Sequence, residues 1–480
     1  MLKLAERPAE QLSALERLEV LCDPGSLSLV RTGVVSRKLA DGAAGDGVLG
    51  AAGRIDGRPV YAFAQDPSFA GGSLGAAHAE TICQVLRLAG RARVPAVGFV
   101  ASAGARLQEG LDALNGYGRI FREHVALSGL VPQVSVVAGV SAGGGSYGPA
   151  LTDHVVMTRD AAMFLTGPGV VREVLGEEVD AAGLGGPRVH ERNGVCDLVA
   201  QTDADAAWLA RDLLDYLPHR AGERPPRWPV VDPPGHAPDA AVPDDPRKVY
   251  DVRDVARAIV DGGRLLELGE RWARNVVTAY ARLDGRAVGI VANQPRHLGG
   301  VLDSESAAKA ARFIRTCDLF GLPLVVLVDT PGFLPGTKQE ADGVIRHGSK
   351  LVHAFAGASV PRLTVVLRKA FGGAYIAMNS RELGADLVLA WPQAQLGVMG
   401  AEQAVGIVER RAIAAADDPV AERRRRGARY AAEHLSVAGA VRGGSIDEVV
   451  APSDTRERLA QALTHLDGAG APRPARNVRL

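Results

Sequence analysis

The stretches TDHVVMTRDAAMFLTG (152–167) and ADLVLAWPQAQLGVMG (385–400) align with each other without a gap. They share four identities in sixteen positions, including an aspartate near the start and a glycine at the end. Upstream of each stretch, an apolar run leads into a glycine pair, in SAGGGSYGPA (141–150) and KAFGGAYIAM (369–378). Four identities alone are compatible with chance, but the order of strands and glycine loops agrees as well. We therefore interpret the two halves of the chain as copies of one unit.

Apolar runs of strand length alternate with helical stretches in both halves. Runs at 96–100 and 133–138 predict buried strands, and residues 116–128 between them predict a helix. In the second half, the runs at 324–328 and 363–368 predict the same pattern. Continuous apolar strands that alternate with helices are typical of an α/β fold with mainly parallel pairing.

A proline-rich stretch, HRAGERPPRWPVVDPPGHAPDAAVPDDP (219–246), interrupts this alternation. Such a composition is typical of a connector between domains. A chain of 480 residues is also too long for one ordinary core. We therefore expect an N-terminal domain over 1–220, a connector over 221–246 and a C-terminal domain over 247–480.

Composition and charge disfavour several classes of function. The chain has 55 basic and 55 acidic side chains, so its net charge gives no support to a general nucleic-acid or membrane-surface role. The N-terminus is charged and lacks the apolar core of a signal peptide, and no apolar stretch reaches membrane-spanning length. We expect a cytoplasmic protein. The cysteines form no C-x-x-C pair, which excludes a zinc ribbon and disfavours a disulfide framework; they are Cys22, Cys83, Cys196 and Cys317.

The glycine loops are the strongest candidates for chemistry. Each follows an apolar strand and precedes a predicted helix, so its backbone N–H groups can point at a ligand without a Cβ in the way. Two such N–H groups form an oxyanion hole, which suits a developing enolate. The alternatives for one isolated loop are close strand–helix packing and a phosphate-binding turn. Two loops in matching places of a duplicated chain favour a functional role.

Other catalytic patterns are absent or weak. The sequence has no G-x-x-x-x-G-K-[ST] phosphate loop, no G-x-S-x-G nucleophile elbow and no metal-ligand spacing. Ser141 and Ser146 lie near glycines but have no evident histidine partner, so we expect capping or turn roles. The run ERRRR (422–426) predicts a solvated helix face, with contact to phosphate groups as the alternative. Without a side-chain base, the substrates must supply their own reactive groups, as in carboxyl transfer between a cofactor and a thioester.

Several motifs resemble the β subunits of propionyl-CoA and acetyl-CoA carboxylases, over about residues 10–465. Those that resemble the N-terminal domain are GGSLGAAHAETI (71–82), GARLQEGLDALNGYGRIF (104–121), SAGGGSYGPALTD (141–153) and GGPRVHERNGVCDLV (185–199). Those that resemble the C-terminal domain are VANQP (291–295), SAAKAARFIRTCDLFGLPLVVLVDTPGFLPGTKQE (306–340), RKAFGGAYIAMNS (368–380), LGADLVLAWPQAQLGVMGAEQAV (383–405) and IDEVVAP (446–452).

The resemblance implies two crotonase-like (ClpP/crotonase) domains of α/β class. It implies a dimer with each active site between the N domain of one subunit and the C domain of another, and a hexamer of three dimers. It also implies carboxyl transfer from N-carboxybiotin to an acyl-CoA through two enolates. The chain has no biotinyl-lysine sequence of the A-M-K-M kind. Biotin, its carrier and the biotin carboxylase would therefore belong to a separate α subunit.

The resemblance also carries site residues onto this sequence. By position, the N-domain oxyanion hole falls on Gly143 and Gly144 and binds the acyl-CoA thioester. The C-domain hole falls on Gly373 and Ala374 and binds the biotin ureido oxygen. No residue is expected to bind a metal. The expected substrate-binding residues are Gly72, Ser102, Ala103, Gly104, Arg106, Tyr147, Gly167, Tyr375, Ile376, Gly400 and Gln403.

Some positions depart from the family pattern, which reads D-S-G-G-A-R where this chain has ASAGAR (101–106). Gly169 replaces a common acidic residue, Gln403 a common glycine, and Ile376 the aspartate of propionyl-selective relatives. Altered specificity and neutral drift both remain open. Two other functions also remain open: an acyl-CoA decarboxylase that uses the same holes, and a non-catalytic scaffold subunit.

Overall fold

The computed structural model describes residues 11–36, 44–245 and 247–467. The chain separates into two compact units, with the boundary between Pro225 and Pro226. We call them the N unit and the C unit. This boundary lies inside the predicted connector, whereas the ends of the domains predicted at 1 and 480 lie outside the described residues.

The N unit is built on an eight-stranded sheet with the order β1-β2-β3-β4-β5-β6-β8, in which β7 pairs with β5. The first three strands are antiparallel, and the pairings from β3 onward are parallel. Its strands are β1 (Ser28–Val30), β2 (Val48–Ile55), β3 (Arg58–Gln65), β4 (Ala96–Ser102), β5 (Gln133–Ala142), β6 (His154–Thr158), β7 (Ala162–Phe164) and β8 (Leu198–Ala200).

The C unit repeats this topology strand for strand. Its order is β16-β14-β13-β12-β11-β10-β9, and β15 pairs with β13 as β7 does with β5. Two sheets with one connectivity confirm the predicted duplication and the predicted α/β class. The strands are β9 (Leu266–Glu267), β10 (Val276–Leu283), β11 (Arg286–Asn293), β12 (Leu324–Thr330), β13 (Arg362–Phe371), β14 (Leu387–Ala390), β15 (Gln395–Gly397) and β16 (Glu448–Val449).

Helices cover the sheets and connect the parallel strands. In the N unit they are α1 (Ala14–Leu21), α2 (Ala76–Ala92), α3 (Leu111–Leu127), α4 (Gly144–Ala150), α5 (Pro168–Leu175), α6 (Ala181–Gly185), α7 (Pro187–His190) and α8 (Asp203–Tyr216). In the C unit they are α9 (Val252–Ile259), α10 (Ser304–Leu319), α11 (Thr337–Ala341), α12 (Val344–Gly357), α13 (Gly372–Ala377), α14 (Ala401–Val408), α15 (Arg410–Ala414), α16 (Pro419–His434), α17 (Val437–Arg442) and α18 (Thr455–His465).

The central strands are buried on both faces, which explains their continuous apolar sequences. Every residue of β4 is buried, and so is every residue of β12. Within the described part of the chain, no helix is long and apolar enough to cross a membrane.

From Pro226 onward, the proline-rich stretch belongs to the C unit and packs on it through a few specific contacts. The N–H of Trp228 donates to the Gly285 carbonyl at 3.0 Å, and the Arg282 guanidinium lies over the Trp228 ring. Among its described residues, the stretch contains one short 3₁₀ turn, Pro238–Ala241. The prediction of a segment without regular periodicity therefore agrees with its local structure.

Candidate active site

The first glycine loop of the N unit turns at Gly143, between β5 and α4. Its φ of 57° and ψ of −125° are open to glycine and strained for other residues. The Gly143 N–H donates to the Phe164 carbonyl at 2.9 Å, so it is not free for a ligand. The Gly144 N–H, in contrast, has no acceptor among the described residues, because it belongs to the first turn of a helix. Gly144 is thus the available donor of this loop, and the predicted donor role of Gly143 is not supported.

Gly144 also needs to be glycine for a steric reason. A Cβ at this position would lie 2.6 Å from the ring of Tyr117. Tyr117 in turn bonds Ser102 through its hydroxyl, at 3.1 Å. The glycine loop therefore packs directly against the ring of Tyr117.

A second loop, after β4, presents another backbone donor beside the first. The Leu74 N–H donates to the Gly104 carbonyl, and the Arg106 N–H donates to the Leu74 carbonyl, both at 2.9 Å. Between these two bonds, the Ala105 N–H has no acceptor among the described residues. A Cβ on Gly104 would lie 3.6 Å from the Ala142 carbonyl oxygen, which shows how closely the two loops approach. Ala105 was absent from the predicted site.

The C unit has the same turn, and its position shows which residues of this loop correspond to Gly143 and Gly144. Gly372 has a φ of 62° and stands where Gly143 stands, because Phe371 pairs with Gly397 as Ala142 pairs with Phe164. Gly373 is therefore equivalent to Gly144.

The predicted C-domain pair, Gly373 and Ala374, is therefore shifted by one residue relative to the predicted N-domain pair, Gly143 and Gly144. Ala374 is fully buried, so its amide cannot reach a ligand in this structure. Gly373 is exposed and is the accessible donor of the C-unit loop.

The loop after β12 repeats the arrangement around Ala105. The Leu302 N–H donates to the Gly332 carbonyl at 3.0 Å, and the Leu334 N–H donates to the Leu302 carbonyl at 2.7 Å. The Phe333 N–H between them has no acceptor within the described residues. Phe333 lies close to the helical loop, since a Cβ on Gly373 would be 4.0 Å from its Cδ2 atom. Each unit thus presents two free amides at the carboxyl ends of adjacent parallel strands.

The comparisons with known proteins place this geometry in a family. Residues 5–479 match the family model described as "Carboxyl transferase domain". The chain belongs to the carboxyl transferase family. It is therefore an enzyme of the acyl-CoA carboxyltransferase class, as predicted.

Three relatives illustrate the range of this family. The chain is 45% identical to the carboxyltransferase subunit of propionyl-CoA carboxylase from Haloferax mediterranei, over 95% of this chain and 90% of that protein. It is 42% identical to the α subunit of methylmalonyl-CoA decarboxylase from Propionigenium modestum, over 97% of this chain and 92% of that protein. The crystal structure of transcarboxylase 12S, a hexamer with methylmalonyl-coenzyme A bound, superposes with a TM-score of 0.92 at 44% identity, covering 98% of this chain and 92% of that one.

The Arg106 side chain is buried and bonded within the N unit, which does not support its predicted contact with a substrate. This side chain is 1% exposed, and its guanidinium is bonded to Asp46, Glu109 and the Ser73 carbonyl. Ser102 is also 1% exposed and accepts a bond from the Gly104 N–H at 3.3 Å. Both predicted binding residues instead hold the loop that carries Ala105.

The predicted glycines have differing roles in the structure. Gly72 is buried, and a Cβ there would lie 2.3 Å from the Ala101 carbonyl oxygen, so it allows close packing behind the loop. Gly167 and Gly400 precede α5 and α14 as equivalent N-cap residues. Ala103 is exposed at the turn of its loop. Contact of these residues with a substrate stays a prediction.

Several predicted substrate-binding residues lie on the helices that follow the glycine loops or nearby, and most of their side chains are exposed to solvent. Tyr147 and Ile376 are each about half exposed. Tyr375 is partly buried, and this burial raises the pKa of its hydroxyl to about 12. Gln403 is exposed in the first turn of α14, where its N–H donates to the Gly400 carbonyl at 3.1 Å.

One departure from the family pattern has a structural explanation. At equivalent positions, the C unit has a buried ion pair, with the Arg368 Nε atom 3.1 Å from an Asp329 carboxylate oxygen. The N unit has Ala101 and Gly139 there, and a Cβ on Gly139 would lie 3.1 Å from the Ala101 Cβ. The N unit thus lacks both partners of the ion pair: Ala101 takes the place of the aspartate, and Gly139 on the neighbouring strand takes the place of the arginine.

The arginine-rich run on α16 is engaged in ion pairs on the surface. Arg425 and Arg426 both pair with Glu422, and Arg426 also pairs with Glu409. This agrees with the predicted solvated helix face, and phosphate contact is untested. The described residues contain no cluster of side chains that could hold a metal ion.

Proposed function

We propose that this carboxyltransferase transfers a carboxyl group from N-carboxybiotin, carried on a partner protein, to the α-carbon of an acyl-CoA. The observation that carries the proposal is the repeated pair of free amides. Gly144 and Ala105 form the pair in the N unit, and Gly373 and Phe333 form the pair in the C unit. The reaction generates two enolate oxygens, and two pairs of donors match that requirement.

In this proposal the N-unit amides bind the thioester oxygen of the acyl-CoA. Their hydrogen bonds strengthen as negative charge develops on that oxygen, and losing one such donor typically costs about 100- to 1000-fold in rate. Residues 1–220 would form the acyl-CoA side of the enzyme and residues 247–480 the biotin side, joined by 221–246.

The C-unit amides would bind the ureido oxygen of biotin. The residues fit a planar, uncharged ring, because Gly373 has no side chain and Phe333 offers an apolar edge beside it. Carboxybiotin supplies carbon dioxide when bound and, after its loss, a base for the α-proton. The chain itself then needs to hold the two oxygens, which is consistent with the absence of a G-x-S-x-G nucleophile elbow from its sequence.

The partners follow from the chemistry. Biotin carboxylase and the biotin carrier would be supplied by an α subunit. The hexamer of transcarboxylase 12S supports a dimer of this chain, and a hexamer as a trimer of dimers.

A second candidate is decarboxylation of a malonyl- or methylmalonyl-type CoA thioester. The similarity to the α subunit of methylmalonyl-CoA decarboxylase favours it. Both reactions pass through the same enolate, so the same four amides would serve either direction.

A reconstituted assay distinguishes these functions. The chain is combined with biotin carboxylase, biotin carrier, ATP and labelled bicarbonate, and presented with acetyl-, propionyl-, butyryl-, branched and longer acyl-CoA. We expect label in a carboxylated acyl-CoA, abolished by avidin. Absence of product over the whole panel, with release of carbon dioxide from methylmalonyl-CoA, would establish the decarboxylase instead. Binding of acyl-CoA without either reaction would favour the scaffold role.

A further inference from the structure

A buried cluster of three charged side chains lies next to the Ala105 amide. The Arg106 Nη1 atom lies 2.7 and 2.9 Å from the two carboxylate oxygens of Asp46. The same atom lies 2.8 Å from a carboxylate oxygen of Glu109. The other terminal nitrogen donates to the Ser73 carbonyl at 2.8 Å. We call Asp46, Arg106 and Glu109 the Arg106 clamp.

The clamp joins three separate segments of the N unit. Glu109 accepts from the N–H of Ala76 at 2.7 Å, and Asp46 accepts from the N–H of His78 at 3.2 Å. Amides in the first turn of a helix have no acceptor within the helix. The N-cap of α2, Gly75, has no side chain that could accept from them, so Glu109 and Asp46 do so instead. The segment before β2, the start of α2 and the loop after β4 are therefore held by one cluster.

The buried charges of the clamp are weak evidence for a role in stability alone. Burying charges carries a desolvation penalty, and packed apolar side chains are often as stable. Asp46 also adopts a φ of 62°, between the glycines Gly45 and Gly47, in the left-handed region where aspartate and asparagine are found more often than most residues with a Cβ.

The position of Arg106 suggests a further role. It directly follows Ala105, and its own N–H donates to the Leu74 carbonyl at 2.9 Å. The Ala105 N–H lies in the same peptide plane as the Gly104 carbonyl, which accepts from the Leu74 N–H at 2.9 Å. The bonds of Leu74 and of the Arg106 guanidinium thus fix the loop around the Ala105 N–H and set its direction. The equivalent residue in the C unit is Leu334, so this clamp is specific to one of the two loops.

We propose that Asp46 and Glu109, acting through Arg106, are positioning residues that aim the Ala105 amide at the acyl-CoA thioester oxygen. The inference rests on the proposed function, which assigns that amide to the N-unit hole. A misplacement of about 1 Å at a reacting centre can cost on the order of 100-fold in rate. A fixed loop therefore favours the enolate without binding the substrate more tightly.

The test compares Asp46→Asn with Asp23→Asn in the full chain, assayed with its carboxylase and carrier. Asparagine tolerates the left-handed conformation and keeps the shape of the side chain, but it weakens the bonds to Arg106. We expect kcat to fall by about 10- to 100-fold, with little change in the KM for acyl-CoA or for the carrier. Loss of an interaction made mainly in the transition state has this signature.

Asp23 provides the matched control because it belongs to a similar cluster at the other end of β3. It lies 2.9 Å from Arg211 and accepts from the N–H groups of Asp56 and Gly57. We expect Asp23→Asn to lower the melting temperature and leave kcat nearly unchanged.

The outcomes separate the clamp from the proposed function. If Asp46→Asn lowers stability like Asp23→Asn and keeps kcat, or raises KM alone, the clamp is only structural. Glu109→Gln, which can still accept from Ala76, decides the question if Asp46→Asn does not fold. Failure of the wild-type chain to carboxylate any acyl-CoA would instead overturn the proposed function.

Discussion

Tyr147 and Ile376 occupy equivalent positions in the two units. Each stands four residues after the positive-φ glycine at the end of a long strand, Gly143 or Gly372. Their exposed fractions are 51% and 49%. Each unit thus projects one large side chain from the helix that carries its candidate donor, and the two side chains differ in polarity.

In the two-subunit site that the family resemblance implies, Ile376 of one subunit is expected to face the acyl end of a substrate bound to the N domain of another, and so to influence the choice of acyl chain. Each buried methylene contributes about 0.8 kcal/mol, and a pocket discriminates by roughly 1–3 kcal/mol per methylene. An aspartate would penalise longer chains, because its carboxylate would lose water against them. We expect Ile376→Asp to reduce kcat/KM for butyryl- and longer acyl-CoA more than for acetyl- and propionyl-CoA.

The comparison uses kcat/KM over the acyl series, with Ile376→Leu as the apolar control. Leucine should preserve the ratios. Unchanged ratios in Ile376→Asp would mean that the side chain does not contact the acyl group.

Gly373 allows the backbone donor itself to be removed. A proline in the first turn of a helix is tolerated but has no N–H. Alanine at the same place keeps the N–H, and its Cβ has room, since Phe333 is 4.0 Å away. We expect Gly373→Pro to lower kcat by about 100- to 1000-fold and Gly373→Ala to retain most of the activity. A folded Gly373→Pro protein with near-normal turnover would remove Gly373 from the site.

Much of the fold could be predicted because its signals are local. Buried strands such as β4 and β12 are continuous apolar runs, and the two glycine loops directly follow the next long strands, β5 and β13. The site was harder to predict because its donors are backbone amides, which any residue can supply. Ala105 and Phe333 therefore have no signature in residue type. Alignment of ASAGAR (101–106) with DTPGFL (329–334) was the available signal.

Arg106 shows the opposite difficulty, a motif that suggests the wrong role. The family resemblance implied substrate binding at Arg106, but its guanidinium binds the carboxylates of Asp46 and Glu109. One of them, Asp46, lies sixty residues earlier in the chain and is brought close only by the fold. The position of Arg106 in the family motif suggested a substrate, and only the tertiary structure shows that its partners are side chains of the same unit.

Gly143 and Gly373 should respond differently to the same substitution. Gly143 has a φ of 57° and a ψ of −125°, whereas Gly373 lies in the first turn of a helix. Strain of this kind costs about 1–3 kcal/mol. We expect Gly143→Ala to lower the melting temperature clearly and Gly373→Ala to change it little. Equal melting temperatures would show that the turn at Gly143 can relax.

The whole chain is expected to assemble with itself. Large apolar side chains are exposed on the equivalent helices α5 and α14, and exposed patches of this kind mark interaction surfaces; they are Val174, Leu175, Ile407 and Val408. We expect mass photometry to show dimers or hexamers, and we expect residues 1–220 and 247–480 to be inactive when expressed separately. A fully active monomer would contradict the proposed two-subunit site.

The last prediction concerns the buried His78, whose protonation state is determined by its neighbours. Its Nδ1 atom lies 3.0 Å from the Asp46 carbonyl oxygen and must carry the proton. Its Nε2 atom lies 3.0 Å from the Gln65 amide nitrogen. The Gln65 oxygen already accepts from the Ala101 N–H at 2.9 Å, so the amide must donate to His78. A second proton, on Nε2, would point at the N–H of the Gln65 amide, so the neighbours of the ring favour neutral His78.

Burial, together with the positive charge of Arg106, lowers the pKa of His78 from 6.5 to about 3. Between these values the unfolded chain binds a proton that the folded chain excludes. The contribution of neutral His78 to stability is therefore complete above pH 6.5 and is lost progressively as the pH falls towards 3. One proton corresponds to at most about 1.4 kcal/mol per pH unit.

We expect the free energy of unfolding of His78→Gln to depend less steeply on pH than that of the wild-type chain, because glutamine does not titrate. Urea unfolding at several pH values between neutral and mildly acidic measures both slopes. His124 is also buried with a lowered pKa, so some dependence should remain, and His124→Gln with His78→Gln should reduce it further. Parallel slopes for the wild-type and His78→Gln proteins would show that His78 accepts its proton without unfolding, through a rearrangement of Gln65.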